Sequence, residues 1–410
     1  MSELYARITG WGKYNPARRL TNYDLEQMVD TSDEWISSRT GIRERRIAAA
    51  EETTVSMALE ASKQAIERAG IRPDDLNLII LATSTPDYLC PASASMLQDR
   101  LGASNAGAFD LTAGCTGFVY GLVTATQFIK TGAYRHILVV GAEKLSMAID
   151  WTDRETCILF GDGAGAVVVE ASNSPTGVMA FELGSEGADW DALTVLGGGS
   201  ANPMSQGVLD RGENYLNMDG KRVFKFATRT MSRSVQNVVQ ESGIPFDEID
   251  FIVPHQANVR IIETAIKRLK VDPDKVMVNL DRYGNTSAAS IPMALCEAAD
   301  QGKIRDGNHI VLVGFGAGLT WASAVVHWEP TRPAEEQAIM VADWPVRERL
   351  QVQADKMRAA LWSAQVTART RVEEASMAVM LPFYTWQSKR RKQQRADGVE
   401  PPADDGTPSE

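Results

Sequence analysis

The sequence predicts an α/β protein made of two duplicated βαβ-type halves, and three observations support this prediction. Short runs rich in β-branched residues alternate with longer helical stretches along the chain. The series repeats, because the run at Leu76 resembles the run at Ile249 and the run at His136 resembles the run at His309, each 173 positions later. The 410 residues, 44% apolar and 23% charged, suffice to bury one large core or two fused cores.

Seven short apolar runs are the predicted core strands. They cover residues 78–83, 137–141, 166–169, 251–254, 276–280, 310–314 and 324–326. Each lies in a context bounded by Gly, Asp or Pro, which is typical of strand ends. Such continuously apolar runs indicate buried, mainly parallel strands. The two predicted halves cover residues 1–172 and 173–330.

The chain changes character after Glu329, where two prolines break the pattern. An Ala-rich stretch with heptad-like apolar spacing then predicts a helical extension over residues 331–395, which would pack on its own body or on a dimer mate. The extension ends in a cluster of Lys and Arg at 389–395, and a weak contact of this cluster with an anionic membrane surface is one hypothesis. Residues 396–410 are rich in Pro, Gly and acidic side chains and are predicted to be disordered.

The composition argues against several classes of protein. The net charge of −11 argues against nucleic acid as a partner. No run approaches the roughly 18 apolar residues of a spanning helix. The N-terminus lacks the profile of a signal peptide, so we expect a cytoplasmic location. The four cysteines are scattered without a C-x-x-C pair, so neither a metal site nor a disulfide framework is predicted.

Three side chains near the ends of predicted strands are candidates for chemistry. Cys115 lies between a strand-like segment and a helical pattern, where the N–H groups of a helix N-terminus favour a thiolate, although a cysteine among small residues is also a common packing residue. His255 follows the run 251–254, and the carboxyl end of a strand delivers a side chain into a crevice. Asn285 occupies a comparable place, although an Asn beside Gly is also a common turn former.

The run GFGAG at 314–318 follows another predicted strand. Its small residues allow backbone N–H groups to approach a ligand closely. The run lacks the spacing and the lysine of a nucleotide-binding loop. An oxyanion-binding turn is therefore the interpretation that fits it.

Six motifs together resemble one family. They are TSDEWI at 31–36, RTGI at 39–42, FGDGAGA at 160–166, PHQAN at 254–258, GNTSA at 284–288 and GFGAG at 314–318. In this order they look like β-ketoacyl-acyl-carrier-protein synthase III, over about residues 4–328. The resemblance implies a thiolase-like fold with a layered α-β-α-β-α arrangement. It also implies the reaction, a decarboxylating condensation of an acyl-CoA primer with malonyl-acyl-carrier protein that initiates fatty acid synthesis.

The resemblance places the family's Cys-His-Asn triad on Cys115, His255 and Asn285. Cys115 would take the acyl group from acyl-CoA, while the backbone N–H groups of Cys115 and Ala317 hold the oxyanion. His255 and Asn285 would donate hydrogen bonds to the enolate that decarboxylation leaves. Phe315 would supply an apolar environment that promotes loss of the carboxylate. No cofactor is implied beyond the two substrates.

The same resemblance implies a coenzyme A site. Trp35 would stack on the adenine opposite Arg154, whereas Arg39 and Thr40 would hold the phosphate-rich arm. Asn258 would reach the pantetheine. The alternative for Trp35 is a core aromatic residue.

A basic patch for the acyl carrier protein is also implied, and it consists of Lys225, Arg260, Lys267 and Arg268. An acidic carrier protein would require such a local exception in an otherwise acidic chain. Considered only as charges on helix surfaces, these residues would be unremarkable.

This chain departs from the family at three places. Cys90 stands where a bulky aromatic residue shapes the acyl pocket across the family's homodimer interface, so a longer or branched primer is expected to fit. Ala317 stands where a glycine is common, which requires that its φ stay negative. The residues beyond 328 have no counterpart in the family pattern.

Three competing functions stay open. A specialised condensing or acyl-transferring relative in a secondary pathway would differ in its primer or its acceptor. A non-decarboxylating thiolase would need a second cysteine as base, and the last glycine loop contains none. An inactive scaffold whose tail recruits partners is opposed by the intact triad.

Overall fold

A computed structural model describes residues 3–331 of the chain. Apart from Thr331, the predicted helical extension at 331–395, its basic cluster and the predicted disordered tail at 396–410 lie outside the described residues. Over residues 3–331, no helix combines the length and the hydropathy that crossing a membrane requires.

Thirteen strands lie within the described residues. They are β1 Tyr5–Tyr14, β2 Arg18–Thr21, β3 Glu44–Ile47, β4 Leu78–Ala82, β5 Gly107–Leu111, β6 His136–Glu143, β7 Gly163–Ser172, β8 Gly177–Ser185, β9 Leu193–Val195, β10 Leu216–Met218, β11 Phe251–Pro254, β12 Asn308–Gly316 and β13 Thr320–Trp328. The same part of the chain contains ten α-helices. They are α1 Asn22–Glu26, α2 Asp33–Thr40, α3 Thr54–Ala69, α4 Ser93–Leu101, α5 Gly117–Lys130, α6 Gln206–Asp210, α7 Gly220–Ser242, α8 Val259–Leu269, α9 Leu280–Tyr283 and α10 Ser290–Asp300.

Nine of these strands form one mixed sheet in the order β11-β12-β13-β8-β1-β7-β6-β4-β5. On one side, β1 pairs with β7 and β7 pairs with β6, both antiparallel, and β6 then pairs with β4 in parallel. On the other side, β8 pairs with β13 and β13 pairs with β12, both antiparallel, and β12 then pairs with β11 in parallel, so the same three pairings are repeated. The two groups meet where β1 and β8 pair in parallel, with Ala6 opposite Gly177. The predicted boundary after residue 172 falls at the end of β7, and the division into halves stays a prediction.

Helices cover both groups of strands. Helix α3 packs on β1, β7 and β6, and α7 packs on β13, β8 and β12. Helices α5 and α10 contact strands of both groups and lie between them, and most of their residues are buried. A helix that is apolar on all sides belongs in the interior of a protein. The two groups of strands therefore form the two sheet layers of the predicted arrangement of helix, sheet, helix, sheet and helix, and they are joined at one edge by the pairing of β1 with β8.

The segment that leads into α10 lies directly on the sheet. A Cβ atom on Gly141 of β6 would be 2.2 Å from the carbonyl oxygen of Ala288, and one on Gly165 of β7 would be 2.7 Å from the backbone nitrogen of Met293. Contacts this short exclude any side chain, so both positions require glycine. The close approach fixes the position of residues 285–290, which carry part of the site described below.

Six of the seven predicted strands lie within or overlap strands of the sheet, but the prediction for residues 276–280 is wrong. Val276 forms a single parallel bridge with Ile252, and the N–H group of Met277 donates to the carbonyl oxygen of Ile252 at 2.9 Å. Helix α9 then begins at Leu280. The run touches the sheet edge for two residues and turns away, which its apolar composition alone does not reveal.

Candidate active site

Cys115 lies in a short 3-10 turn, Gly114–Thr116, which joins β5 to the N-terminus of α5. The hydroxyl of Thr116 donates to the carbonyl oxygen of Ala113 at 2.7 Å and stabilises the turn. The exposed fraction of Cys115 is 5%. The turn therefore presents the thiol at the end of a buried helix.

Burial raises the pKa of the Cys115 thiol to about 12, whereas the interaction with the Ser287 hydroxyl lowers this pKa and the charge of Glu143 raises it. Desolvation disfavours the anion, so burial opposes the thiolate that the helix N-terminus was expected to favour. The resting group is a thiol. Its activation requires a group that accepts the proton.

His255 directly follows β11 and is 1% exposed. Its Nδ1 atom lies 2.5 Å from the Oγ atom of Ser290, and its ring meets the Phe315 ring edge-on at 5.3 Å between centroids. We assign the Ser290 hydroxyl as the donor to Nδ1, because residues 3–331 offer this hydroxyl no other acceptor. Burial lowers the pKa of His255 to about 3, so the ring is neutral and carries its proton on Nε2.

Asn285 is held by its backbone and by one side-chain atom. Its N–H group donates to the Leu159 carbonyl oxygen at 2.8 Å, and its carbonyl oxygen accepts from the Gly161 N–H group at 2.9 Å. Its side-chain Oδ1 atom accepts from the N–H group of Ser287 at 2.8 Å. This contact fixes the carboxamide so that Nδ2 remains as the donor toward the cavity.

A cavity of about 130 Å³ brings the three side chains together. Cys115, His255 and Asn285 line its buried end. Its other walls are mainly apolar and include Leu193, Met218, Val223, Phe224 and Ile261. A small, mainly apolar cavity lined by a thiol and two polar groups suits an acyl chain or a flexible substrate arm.

The glycine loop at 314–318 packs against the backbone of the nucleophile. A Cβ atom on Gly316 would be 2.6 Å from the nitrogen of Cys115, and one on Gly114 would be 2.9 Å from the nitrogen of Ala317. The backbone nitrogens of Cys115 and Ala317 therefore lie in one small region. Among the described residues, the positive-φ residues other than glycine are Lys270 and Ser287, so Ala317 keeps the negative φ that it requires.

Trp35 lies in α2, partly exposed, with two guanidinium groups over its indole ring. The Cζ atom of Arg39 is 4.6 Å from the ring centroid, and that of Arg154 is 4.5 Å from it. Arg154 also forms an ion pair with Asp30 at 3.4 Å. The expected partners for an adenine are thus together, and Arg154 now occupies part of the indole surface itself.

The side chains of Thr40 and Asn258 both form hydrogen bonds within the protein. The Thr40 side chain is buried, and its hydroxyl donates to the Ile36 carbonyl oxygen at 2.7 Å and accepts from the Ile42 N–H group at 3.0 Å. We therefore do not retain Thr40 as a phosphate contact. Asn258 is the N-cap of α8 and donates to the carbonyl oxygen of Arg39 at 3.2 Å, while it also lines the cavity.

The four predicted carrier-protein contacts lie on two neighbouring helices, with Lys225 on α7 and Arg260, Lys267 and Arg268 on α8. Lys225, Arg260, Lys267 and Arg268 are all exposed. Phe224, beside Lys225, is 37% exposed and lines the cavity. The basic residues therefore belong to the helices that also form the cavity wall.

Cys90 is exposed and is not among the residues that line the cavity of its own chain. Its predicted role in the acyl pocket needs a second chain and stays a prediction.

Sequence reasoning missed three polar residues of the site. Ser287 and Ser290 both belong to the segment GNTSAAS, whose small polar composition was the available signal. Glu143 is 0% exposed and accepts a hydrogen bond from Ser287 at 3.1 Å. A glutamate after an apolar strand gives no sign in the sequence that it is buried.

Two family models match this chain. A model described as 3-oxoacyl-[acyl-carrier-protein (ACP)] synthase III matches residues 109–187, which include Cys115. A model described as 3-oxoacyl-[acyl-carrier-protein (ACP)] synthase III C terminal matches residues 239–328, which include His255 and Asn285.

Curated relatives and solved structures agree with these models. A beta-ketoacyl-[acyl-carrier-protein] synthase III from Caldanaerobacter subterraneus subsp. tengcongensis is 52% identical over 326 residues, 80% of this chain and 98% of that protein. The crystal structure of 3-oxoacyl-[acyl-carrier-protein] synthase III from Aquifex aeolicus superposes with a TM-score of 0.74 at 45% identity, over 79% of this chain and 100% of that chain. The priming beta-ketosynthase of the R1128 polyketide biosynthetic pathway has a TM-score of 0.74 at 35% identity, over 80% of this chain and 98% of that chain.

Proposed function

This chain belongs to the β-ketoacyl-[acyl-carrier-protein] synthase III family, and we propose that its condensation proceeds on Cys115, His255 and Asn285. It is a condensing acyltransferase. In the proposed reaction an acyl-CoA primer condenses with malonyl-acyl-carrier protein, carbon dioxide is lost, and fatty acid synthesis begins. The observation that carries this assignment is the convergence of one thiol and two neutral hydrogen-bond donors at the buried end of a single cavity.

In the first half-reaction, the sulfur of Cys115 attacks the thioester carbonyl of acyl-CoA. The negative charge that develops on the carbonyl oxygen is stabilised by the backbone N–H groups of Cys115 and Ala317, whose nitrogens the glycine contacts bring together. Collapse of this intermediate releases coenzyme A and leaves the acyl group on Cys115.

In the second half-reaction, malonyl-acyl-carrier protein loses carbon dioxide and leaves an enolate. The enolate carbon attacks the carbonyl of the acyl group on Cys115, and the Cys115 sulfur leaves as the β-ketoacyl product forms. The Nε2–H group of His255 and the Nδ2–H group of Asn285 donate to the enolate oxygen, because each has its other polar atom occupied. Phe315 packs against the His255 ring and keeps water from that side. Neither half-reaction is an oxidation or a reduction, so the proposal includes no cofactor.

Coenzyme A is proposed to enter past α2. The adenine would replace the Arg154 guanidinium on the Trp35 ring, or stack between the two, while Arg39 contacts the phosphates. The cavity wall formed by α7 and α8 then guides the pantetheine to Cys115.

Acyl carrier protein is proposed to dock on the basic residues of α7 and α8. An acidic partner needs a local positive surface on a chain whose net charge is −11. A homodimer, which the proposed role of Cys90 requires, and a cytoplasmic location belong to the same proposal.

The decisive experiment acylates the protein and then supplies the extender. The full-length protein is incubated with straight and branched acyl-CoAs of increasing length, and the Cys115 peptide is examined by mass spectrometry. Malonyl-acyl-carrier protein is then added and the β-ketoacyl product is measured. We expect an acylated Cys115 peptide and a product two carbons longer than the primer. Failure of every acyl-CoA to label Cys115 would contradict the proposed function.

The same panel distinguishes the specialised alternative. A primer range that excludes short straight chains would favour a relative that serves a secondary pathway. A broad range that includes them would favour general fatty acid initiation. Cys90→Phe should restrict the accepted acyl-CoA primers to shorter chains if Cys90 borders the pocket of a partner chain.

A further inference from the structure

Glu143 is a buried carboxylate to which the reaction above gives no role. It is the last residue of β6, and its exposed fraction is 0%. The Thr85 hydroxyl donates to it at 2.6 Å, the Ser287 hydroxyl at 3.1 Å, the Ser84 N–H group at 3.1 Å and the Thr83 hydroxyl at 3.3 Å. Keeping an ionisable carboxyl group away from water is unfavourable, so its presence beside a nucleophile indicates a use for its charge or its proton.

Ser287 lies between this carboxylate and the nucleophile. Its Oγ atom is 3.1 Å from Oε1 of Glu143. The turn that carries Ser287 contacts the turn that carries Cys115, and the Ser287 hydroxyl lowers the pKa of the Cys115 thiol. A serine hydroxyl donates one proton and accepts on two lone pairs. Because the Ser287 hydroxyl donates its one proton to Glu143, it can only accept a proton from the S–H group of Cys115 while that group is a thiol. If the proton moves to Glu143, both hydrogen bonds simply reverse.

The backbone at Ser287 supports a specific task for its side chain. Ser287 has a φ of 48°, in the left-handed region that residues with side chains seldom adopt. The position 173 residues earlier, related by the internal repeat, is Gly114 with a φ of 54°. Glycine adopts this conformation without strain, whereas serine does not. A side chain is thus retained where the backbone favours glycine, and its hydroxyl is the group that contacts both Glu143 and Cys115.

His255 is not arranged to accept the thiol proton. Its Nδ1 atom accepts from Ser290, so Nε2 already carries a proton and faces the cavity as a donor. Burial lowers the pKa of His255 to about 3, which makes it a weak base. Burial raises the pKa of Glu143 to about 7, while its hydrogen-bond donors act in the opposite direction. General base catalysis is most effective when the pKa of the base lies near the working pH.

The groups that face Glu143 are nearly all uncharged. The segment after β4 presents two threonine hydroxyls and a backbone N–H group, and the 3-10 turn Ser287–Ala289 presents a serine hydroxyl. The titratable neighbour is Cys115. The ammonium group of Lys144, the next residue in sequence, is bound by the carbonyl oxygens of Ala49 and Glu52. The protonation of Glu143 is therefore coupled chiefly to that of Cys115.

We propose that Glu143 is the general base that activates Cys115, acting through the hydroxyl of Ser287. The proposal rests on the acyl-CoA half-reaction described under the proposed function. The S–H bond of Cys115 breaks as its proton passes to Oγ of Ser287, and the Ser287 proton passes to Oε1 of Glu143. The negative charge thereby moves from the carboxylate to the sulfur, and the thiolate attacks the thioester. When the C–S bond to coenzyme A breaks, the proton returns through Ser287 to the departing sulfur.

The first test follows alkylation of Cys115 by iodoacetamide in the full-length protein, as a function of pH, by peptide mass spectrometry. In the wild-type protein we expect the rate to rise with pH through about 7 and then to level off, since Glu143 accepts the proton only when ionised. In Glu143→Gln the step near neutral pH should disappear, and alkylation at pH 7.5 should slow at least about tenfold.

A purely electrostatic role for Glu143 predicts the opposite result. Its charge raises the pKa of Cys115, so removal of the charge alone would speed alkylation. Faster alkylation of Glu143→Gln, or an unchanged pH profile with a rate within about twofold of wild type, would overturn the proposal. Glu297→Gln is the matched control, because Glu297 is another buried carboxylate but is bound by Arg282 and Asn279 away from the cavity. Its alkylation profile should match that of wild type.

The second test measures acylation by acyl-CoA in rapid-mixing experiments. Glu143→Gln and Ser287→Gly should each slow acylation about 100-fold. Ser287→Gly removes the hydroxyl but also relieves the left-handed backbone, so its melting temperature should not fall and misfolding cannot account for the loss. Acyl-enzyme that has been loaded slowly to completion should condense with malonyl-acyl-carrier protein at the wild-type rate in Glu143→Gln, because the S–H bond is already gone.

The outcomes separate the two proposals. If no acyl-CoA labels the wild-type protein, the proposed function fails, and the alkylation profile still tests Glu143. If the wild-type protein is acylated and Glu143→Gln is acylated equally fast at every pH, the role of Glu143 is wrong and the proposed function stands.

Discussion

The Nδ1 atom of His255 lies 2.5 Å from the hydroxyl oxygen of Ser290, the first residue of α10. This hydrogen bond holds the imidazole with its proton on Nε2, directed toward the cavity. The two residues come from different elements, a strand end and a helix start, and the packing of α10 on the sheet fixes the distance between them. The state of the histidine is thus set by a residue that does not contact the substrate.

Removal of the Ser290 hydroxyl should impair decarboxylation and spare acylation. Ser290→Ala lets the imidazole proton move to Nδ1, which leaves no donor toward the enolate. We expect decarboxylation of malonyl-acyl-carrier protein to slow at least about tenfold. Ser290→Thr keeps a hydroxyl at this place and should restore most of the rate. Equal loss of acylation and decarboxylation in Ser290→Ala would indicate a structural role instead.

The three site residues should separate the two half-reactions. Cys115→Ala should abolish condensation but retain decarboxylation, because the enolate donors remain. His255→Ala and Asn285→Ala should each slow decarboxylation about 100-fold, and Cys115 should still be acylated. Release of labelled carbon dioxide and the mass of the Cys115 peptide measure the two steps. If Cys115→Ala lost both acylation and decarboxylation while His255→Ala and Asn285→Ala kept both, this division of roles would be wrong.

Trp35→Ala should weaken the binding of acyl-CoA without a change in the chemical step. The indole ring already binds two flat guanidinium groups, and the adenine is proposed to replace or stack beside that of Arg154. We expect the KM for acyl-CoA to rise about tenfold at an unchanged kcat. Acyl-pantetheine, which has no nucleotide, serves as the control and should react equally with both proteins. A similar rise in KM for acyl-pantetheine would show that Trp35 acts on the cavity instead of on the nucleotide.

Charge reversal on α7 and α8 should weaken recognition of the carrier protein. Lys225→Glu combined with Arg260→Glu should raise the KM for malonyl-acyl-carrier protein at least about tenfold, most strongly at low salt. The KM for malonyl-CoA as extender should change little by comparison. Lys130→Glu is the control, because Lys130 is an exposed residue at the C-terminal end of α5, remote from the Cys115 end. A comparable effect of Lys130→Glu would point to net charge instead of a local patch.

A methyl group at Gly316 should disrupt acylation. The added Cβ atom would be 2.6 Å from the nitrogen of Cys115, so Gly316→Ala must push apart the two backbones that stabilise the oxyanion. We expect acylation to slow about 100-fold. Gly187→Ala is the control, because a Cβ atom there meets nothing within 4 Å. Rapid acylation by Gly316→Ala would contradict the proposed position of the oxyanion.

The sequence was informative where chemistry and periodicity coincide. The offset of 173 residues between similar runs corresponds to β4 and β11 and to β6 and β12, which occupy equivalent places in the sheet. The positions of Cys115, His255 and Asn285 after strands or before helices were visible because small and polar residues interrupt apolar runs there. Their convergence in one cavity follows from the sheet order, which single runs do not specify.

The sequence does not show which polar side chains are buried in the folded protein. The helix N-terminus at Cys115 indicated a thiolate, but desolvation raises the pKa of the thiol instead. Glu143 looks like a surface residue at a strand end, and only the tertiary structure encloses it with hydroxyl groups. Thr40 lies in a plausible phosphate-binding sequence, yet the end of its own helix occupies its hydroxyl.

The two 3-10 turns, Gly114–Thr116 and Ser287–Ala289, are related by the same offset of 173 residues and contact each other at the starts of the buried helices. The residue that corresponds to Cys115 is therefore Ala288, which is 1% exposed. The two turns are related by the repeat, but only the first carries the nucleophile. The second carries Ser287, which supports it. Substitutions can accumulate on the supporting turn and alter the behaviour of the nucleophile without any change in the turn that bears it.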